Sequence, residues 1–462
     1  MNPTVAGSRR IFQATVILVV AMACWSSLAH ADKLTIDESI KLALENNPKM
    51  RIARETLRKA GALIDEATAQ GMPKLSLDGT WQRLDEVPLA KLGDRQIPLG
   101  NLDNRTANLA LVQPLDVFGV VRTGKKVAKH NMSAATSEYQ QTTNDLVLEV
   151  KTAYFNVLRA QRYLKVQEDT IKALEAHLAD AKARLQAGTA APFEVMRAET
   201  QVANARQQLI AAQNGVELAR SAFNNVLGRP LDTPFELDEP EQPRYVDVDA
   251  SRCITKACEN RPEVLRVEAQ VRAAIEQAKA AALLGKPRFN LRWVYNKNFD
   301  TTLFNPRDKS WQAFLTTSIS LYDGGSTKAS VEKARADAES MKSLRDQTRL
   351  GVTLDAQQSY LSLRESRERI QAAEKALEQA RESMRLAQVR YQGGVSTQVE
   401  LFDAQSALTL AETNYVNAIY DYQVSLAKVE HAVGGPDAMA KLLDESTGLQ
   451  QASNQEMAKL QR

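Results

Sequence analysis

One stretch of the sequence comes within a residue of phosphate chemistry. Gly119, Gly124 and Lys125 have the spacing of a loop whose backbone amides and lysine hold phosphates, but Lys126 stands where a Ser or Thr hydroxyl must ligand Mg²⁺. The equivalent stretch later in the chain, Gly325 to Val331, lacks the pattern, so the segment reads as a turn from strand into helix. Beyond residue 31 the histidines are His130, His177 and His431, scattered with no second His or Cys at ligand spacing. Cys253 and Cys258, five residues apart on one helix, lie about 7.5 Å apart along its axis and on different faces, which disfavours a disulfide. They read as two small apolar core residues. No nucleophile elbow, dinucleotide fingerprint or paired-carboxylate context is present, and the abundant Glu and Asp suit the solvated faces of coiled coils. The residues argue against an enzyme and call for no cofactor and no metal.

The elements that position the remaining residues follow from composition and period. The chain has 462 residues, 44% hydrophobic, 25% charged and only 6% aromatic. A mean hydropathy of −0.36, with no long apolar run past the N-terminus, excludes a multi-helix membrane protein but not a β-barrel, whose alternating strands hydropathy hardly registers. Residues 1–31 read as a secretory signal: Arg9 and Arg10, an apolar stretch to about Cys24, then Ala29-His30-Ala31 as the cleavage site. The strongly apolar Val16 to Val20 favours the general secretion route over a twin-arginine signal, and the residues before Cys24 make a poor lipidation site. Without Arg9 and Arg10 the mature chain has 57 basic against 56 acidic residues, a balance that argues against nucleic acid as the ligand.

An internal duplication organises the rest. Glu45-Asn46-Asn47-Pro48 recurs as Glu259-Asn260-Arg261-Pro262, and Gly228-Arg229-Pro230 as Gly434-Gly435-Pro436. The offset falls from 214 to 206 between these pairs, which places eight extra residues of the first copy in the loop Arg83 to Arg105. Repeat 1 spans 32–238 and repeat 2 spans 239–435, with a weakly ordered tail at 436–462. Each repeat has a first helix, a β-hairpin (73–117 and 287–322), a long helix (119–186 and 325–392) and a second helix (192–227 and 398–433). In repeat 1 the first helix runs about 36 residues from a capping box at Thr35 and Glu38 to about Gln70. Leu231 to Val248 reads as a linker between copies.

Each long helix would span about 100 Å. Val157, Leu164, Ile171, Leu178 and Leu185, matched by Leu363, Ile370, Leu377, Met384 and Tyr391, keep a seven-residue step that marks a coiled-coil seam. The helices after them carry a 3,4 pattern in which one seam position is large and the other nearly always Ala. In the strands, Leu75, Leu77 and Trp81 alternate with Ser76, Asp78 and Thr80, and Phe289, Leu291, Trp293 and Tyr295 alternate with Arg288, Asn290, Arg292 and Asn296. One apolar and one polar face per strand suits outer-membrane barrel staves, which makes Asp78, Arg288 and Arg292 candidate lumen-facing residues. The turns at Gly188 and Gly394, each preceded by Arg184-Leu185 or Arg390-Tyr391, end the long projection where a partner would meet the molecule.

The order of these features, repeated twice, resembles the TolC family of outer-membrane efflux and secretion channels. The carriers are Leu34 to Ile40 through Asn46-Asn47-Pro48, the strand exits Gln113-Pro114-Leu115 and Leu321 to Gly325, and the segments Arg184 to Gly188 and Arg390 to Gly394. The implied fold is mainly α with a small membrane β-barrel portion: long coiled-coil helices forming a periplasmic α-barrel, and four strands per protomer contributing to a trimeric, 12-stranded outer-membrane barrel. Four strands cannot close a barrel alone, and an open edge cannot sit in lipid, so copies must complete the ring. The resemblance further implies a homotrimer in outer-membrane lipid, joined at its tips to a periplasmic adaptor and an inner-membrane pump. Arg184, Leu185, Gly188, Arg390, Tyr391 and Gly394 would carry that docking. Glu378, Glu382 and Arg385 fall in the entrance region, where some members have an acidic ring; the mixed charges here do not define one. Export of small molecules in a tripartite efflux system is the first reading. A type I protein secretion channel shares the architecture, and a pore-less periplasmic coiled-coil adaptor or scaffold would share the heptads but has no need of the alternating strands.

Overall fold

The computed structural model describes residues 32–239, 245–301 and 306–443. The secretory address at 1–31, Cys24 within it, and residues 444–462 of the tail lie outside the described residues. The first half of the chain contains β1 (Asp32–Leu34), α1 (Ile36–Asn46), α2 (Pro48–Ala69), β2 (Lys74–Arg83), β3 (Leu89–Leu92), β4 (Arg95–Pro98), β5 (Asp103–Leu115), α3 (Val120–Gln186) and α4 (Pro192–Leu227). The second half contains β6 (Phe235–Leu237), α5 (Ala250–Asn260), α6 (Pro262–Ala282), β7 (Arg288–Asn298), β8 (Lys309–Ser318), α7 (Ser326–Gln392) and α8 (Gln398–Ala432). These residues form two compact units: one holds the described chain up to Arg51, Thr142–Arg261 and Thr353 onward, and the other holds Ile52–Gln141 and Pro262–Val352.

The first unit is helical. At its N-terminus the Thr35 hydroxyl accepts from the Glu38 amide at 3.3 Å and the Glu38 carboxylate accepts from the Thr35 amide at 2.9 Å, closing the capping box. The first helix is not continuous over 36 residues. It stops at Asn47, which is extended (φ −64°, ψ 130°) because Pro48 disfavours a helical residue before it, and α2 starts afresh at the proline. The same break recurs at Arg261, before Pro262.

These breaks are where distant repeat motifs meet. The Asn47 amide group donates to the Val226 carbonyl at 2.7 Å, and a Cβ on Gly228 (φ 72°) would lie 2.9 Å from the Asn46 carbonyl oxygen. In the second copy a Cβ on Gly434 (φ 110°) would lie 2.9 Å from the Asn260 Cβ. The glycine that ends each second helix is required twice over, for its left-handed backbone and for the close approach.

Along the seams Leu363, Ile370, Leu377, Met384 and Tyr391 of α7 are all buried, with Leu401, Ala404, Ala411, Ala418, Tyr422 and Val429 of α8. In the first copy Val157 and Ile171 of α3 are buried and Leu164, Leu178 and Leu185 half-buried. Alanines at alternate seam positions let the helices close in, so a large neighbour such as Phe402 fills the space between Ile171, Ala198, Val202 and Ala205.

Two further expectations are corrected in this unit. The segment read as a linker carries β6, which pairs in parallel with β1 through Asp32↔Phe235 to Leu34↔Leu237. The Tyr154 hydroxyl lies against the Leu34 and Asp238 carbonyl oxygens, and its ring packs on Phe155 and Phe223. The start of the tail is also ordered: residues 436–443 are helical, and Ala438, Met439 and Leu442 join a core with Cys253, Tyr422, Val429 and Val433. That neighbourhood pushes the Cys253 thiol up to about 11 by burial, while Cys258 is half-buried beside the Thr353 hydroxyl; both are free thiols.

The second unit holds an antiparallel four-stranded sheet in the order β2-β5-β7-β8, with β2 and β8 as its edges. The hairpin expected over 287–322 ends earlier, because β8 stops at Ser318, and Ile319 and Leu321 beyond it are exposed. The eight-residue insertion falls in the connection between β2 and β5, which is more than a loop: β3 and β4 pair across a turn at Gly93 (φ 66°).

Candidate functional site

Register decides which strand residues share a face, since partners opposite each other point to the same side. One side carries Leu77↔Leu109↔Tyr295↔Trp311, then Leu75↔Leu111↔Trp293↔Ala313, then Leu291↔Leu315. On the edge strands these apolar side chains are exposed, Leu77 at 72% and Trp311 at 69%, as is Trp81 on the same side at 70%, while Leu109, Trp293 and Tyr295 of the central strands are half-buried. Toward the hairpin connections the same side turns charged with Arg105, Lys297 and Lys309, and toward the helices it keeps Leu115 and Phe289, the latter beside Phe118.

The opposite side is polar. Asp78↔Asn108↔Asn296↔Ser310 form one row, and Lys74↔Val112↔Arg292↔Phe314 another, with Arg288 opposite Ser318. Asp78, Arg288 and Arg292 therefore share a face, and at its centre the small Ala110 and Val294 are buried. An apolar face of this size, uncovered among the described residues, needs a non-aqueous neighbour.

The two connecting turns, between α3 and α4 and between α7 and α8, share one geometry. At the first, the Gly188 amide (φ 75°) donates to the Leu185 carbonyl at 3.0 Å and the Thr189 amide to the Arg184 carbonyl at 2.9 Å. At the second, the Gly394 amide (φ 74°) donates to Tyr391 at 3.1 Å and the Val395 amide to Arg390 at 3.0 Å. These paired bonds satisfy the last helical carbonyls only if the glycine is left-handed.

The structure brings the turns together. The Arg184 guanidinium carbon lies 4.7 Å from the centre of the Tyr391 ring, and Arg184 pairs with Asp180 at 2.9 Å. The Gln398 side chain donates to the Glu194 carbonyl at 3.1 Å, tying the start of α8 to that of α4. Arg390 faces Glu400 at 3.8 Å and Leu185 is half-buried. Tyr391, the last residue of the α7 seam, is buried, and burial holds its phenol above the ordinary range. Sequence reasoning missed an apolar group around these turns: Phe193, Met196, Val389 and Val395 are exposed by more than half. The available signal was that Phe193 and Met196 fall off the Val195, Ala198, Val202 seam.

The entrance-region charges are paired. Arg385 donates twice to the Glu382 carboxylate, at 2.8 and 2.7 Å, and holds it below the usual carboxylate range. Arg381 faces Glu412 at 3.6 Å. Where the near phosphate-binding loop enters α3, Gly119 takes φ 82° and the Asp116 carboxylate accepts from the Val121 and Arg122 amides at 3.0 and 2.9 Å. A carboxylate of the chain itself thus occupies the amides that a phosphate would need. His431 bonds Asp145 at 2.7 Å, and His177 meets Phe402 edge-on, its proton affinity lowered by burial. Among the described residues no group of His, Cys, Asp or Glu is arranged to hold a metal.

The sequence model of the family described as outer membrane efflux protein matches residues 39–229 and 253–435, one block per repeat. The outer membrane protein OprJ of Pseudomonas aeruginosa is 25% identical over 406 residues, covering 86% of this chain and 83% of that one. The outer membrane protein TolC of Vibrio cholerae is 23% identical over 425 residues, 90% and 93% of the two chains. The crystal structure of the outer membrane protein VceC from Vibrio cholerae superposes with a TM-score of 0.75 at 19% identity, over 87% of this chain and 96% of that one.

Proposed function

The chain belongs to the outer membrane efflux protein family, a transport family of the outer membrane and not of enzymes, and from that premise we propose a homotrimeric conduit within a tripartite efflux system. The observation that carries the proposal is the four-stranded sheet with a lipid-compatible face, a polar face and two edges that are unpaired among the described residues. An open edge in hydrocarbon leaves each amide and carbonyl unsatisfied at several kcal/mol apiece, so β2 of one copy must pair with β8 of the next. Three copies give twelve strands, an even number in the range of such barrels.

In this reading Asp78, Arg288 and Arg292 line the lumen. The turns at Gly188 and Gly394 form the periplasmic tips that receive the adaptor of an inner-membrane pump. Tyr391 acts there from beneath Arg184 as a packing residue, and Phe193, Met196, Val389 and Val395 supply the apolar contact surface. Glu378, Glu382 and Arg385 belong to the entrance region, with Glu382 neutralised by its own Arg385. Affinity capture of the detergent-solubilised protein tests the proposal. The expected result is a trimer with a periplasmic adaptor and an inner-membrane pump of small-molecule substrates; a monomer, or a trimer from which pump and adaptor are both absent, contradicts it.

A further inference from the structure

The register places three cations on the polar face of the sheet, and we propose that they form a ring that makes the barrel anion-selective and favours anionic cargo. The inference rests on the reading that this face lines a trimeric pore. Lys74 pairs with Val112 and Val112 with Arg292, so these two charges share a row, two strands and about 10 Å apart. Arg288 lies four residues, about 13 Å, nearer the helices. Arg292 faces Phe314, its cross-strand partner, with 5.9 Å from guanidinium carbon to ring centre, a contact with the ring face that leaves its positive charge unneutralised.

The acids of this face do not cancel the three. Asp78 lies four residues from Lys74 toward the hairpin connections, about 13 Å away, beyond the screening length of about 8 Å at physiological salt. Asp116, at the helix-bearing end, is taken up by the Val121 and Arg122 amides and by the Arg122 guanidinium at 3.5 Å. Twelve strands about 4.8 Å apart and tilted about 40° close a barrel of radius about 12 Å. Side chains reaching about 6 Å inward bring these charges within about one screening length of the axis. A solute passing the Lys74–Arg292 level meets a cationic collar on all sides and reaches Arg288 about 13 Å nearer the helices, so cations outnumber Asp78, the one acid these strands carry on this face, and low-dielectric walls focus the field to several kT.

The test is the reversal potential of the full-length protein in a planar bilayer under a potassium chloride gradient. The wild type is expected to prefer chloride. The triple variant Lys74→Gln, Arg288→Gln, Arg292→Gln should lower the chloride-to-potassium permeability ratio about threefold or more. A charge-preserving Arg288→Lys, Arg292→Lys variant should retain the preference, and Asp78→Asn should raise it slightly. A conducting wild type without chloride preference, or a triple variant that conducts with the wild-type ratio, overturns the ring while leaving the pore intact. Absence of any conductance in the wild type overturns the pore reading itself.

Discussion

Replacing Gly188 and Gly394 by valine separates the job of the two turns from that of the helices they join. Both glycines are left-handed, at φ 75° and 74°, and a Cβ built on either meets nothing within 4 Å. The cost is therefore backbone strain alone, about 1–2 kcal/mol for each β-branched residue forced into that region. Valine instead drives the turn into another conformation, which breaks the Thr189 to Arg184 and Val395 to Arg390 bonds. The seam burying Leu363, Ile370, Leu377 and Met384 stays intact, as do the strands, so assembly should survive. The assay pairs cross-linked trimer yield with intracellular accumulation of a fluorescent pump substrate. Trimers at the wild-type level with export abolished is the expected outcome, and asparagine, which tolerates the left-handed region, should retain export. A valine double variant that forms trimers and exports normally refutes the role given to the turns.

Three further outcomes follow from the same structure. Alanine at Gly228, also left-handed but with its Cβ 2.9 Å from the Asn46 carbonyl oxygen, should destabilise the fold by about 2 kcal/mol or more and lower the amount of protein reaching the membrane, unlike the turn variants. Burial pushes the Tyr154 phenol up to about 12 from 10, so its contribution to stability is complete below pH 10 and lost as pH rises from 10 to 12; thermal melts should show this alkaline loss in the wild type and less of it in Tyr154→Phe. Arg184→Ala should remove a contact with Tyr391 of about 1 kcal/mol, visible as faster proteolysis at the turns, and should have a smaller effect in a Tyr391→Leu background, where only its exposed pair with Asp180 is left to lose.

The parts of the fold legible in sequence are those with a sustained period. Seven-residue steps through Leu363 and Tyr391 mark α7, and alternation through Phe289 and Tyr295 marks β7, because each pattern repeats often enough to exclude the other. Short or relational features were not legible. Asp32–Leu34 and Phe235–Leu237 are three residues each and become strands only by pairing across the chain. Ala438, Met439 and Leu442 show no period until Tyr422 and Cys253 are beside them. Asn47-Pro48 did carry its signal, since a residue before proline resists the helix, but the apolar spacing on both sides masked the break.

For the candidate site, the glycine turns and the polar strand residues were readable from residue type. That Arg184 covers Tyr391, and that Asp116 fills the amides of the Gly119 turn, depends on packing that spacing does not encode.

A channel of this kind requires closure of the sheet by copies of the chain. Cysteine pairs placed along the two unpaired edges, Lys74–Arg83 and Lys309–Ser318, and oxidised in intact cells measure it directly. Pairing of each β2 with the β8 of a neighbour predicts that one set of pairs yields a covalently closed trimer on denaturing gels, with one- and two-bond forms of the same three chains at partial oxidation. Protein that stays monomeric with every pair, or that extends into a ladder beyond three chains, contradicts it.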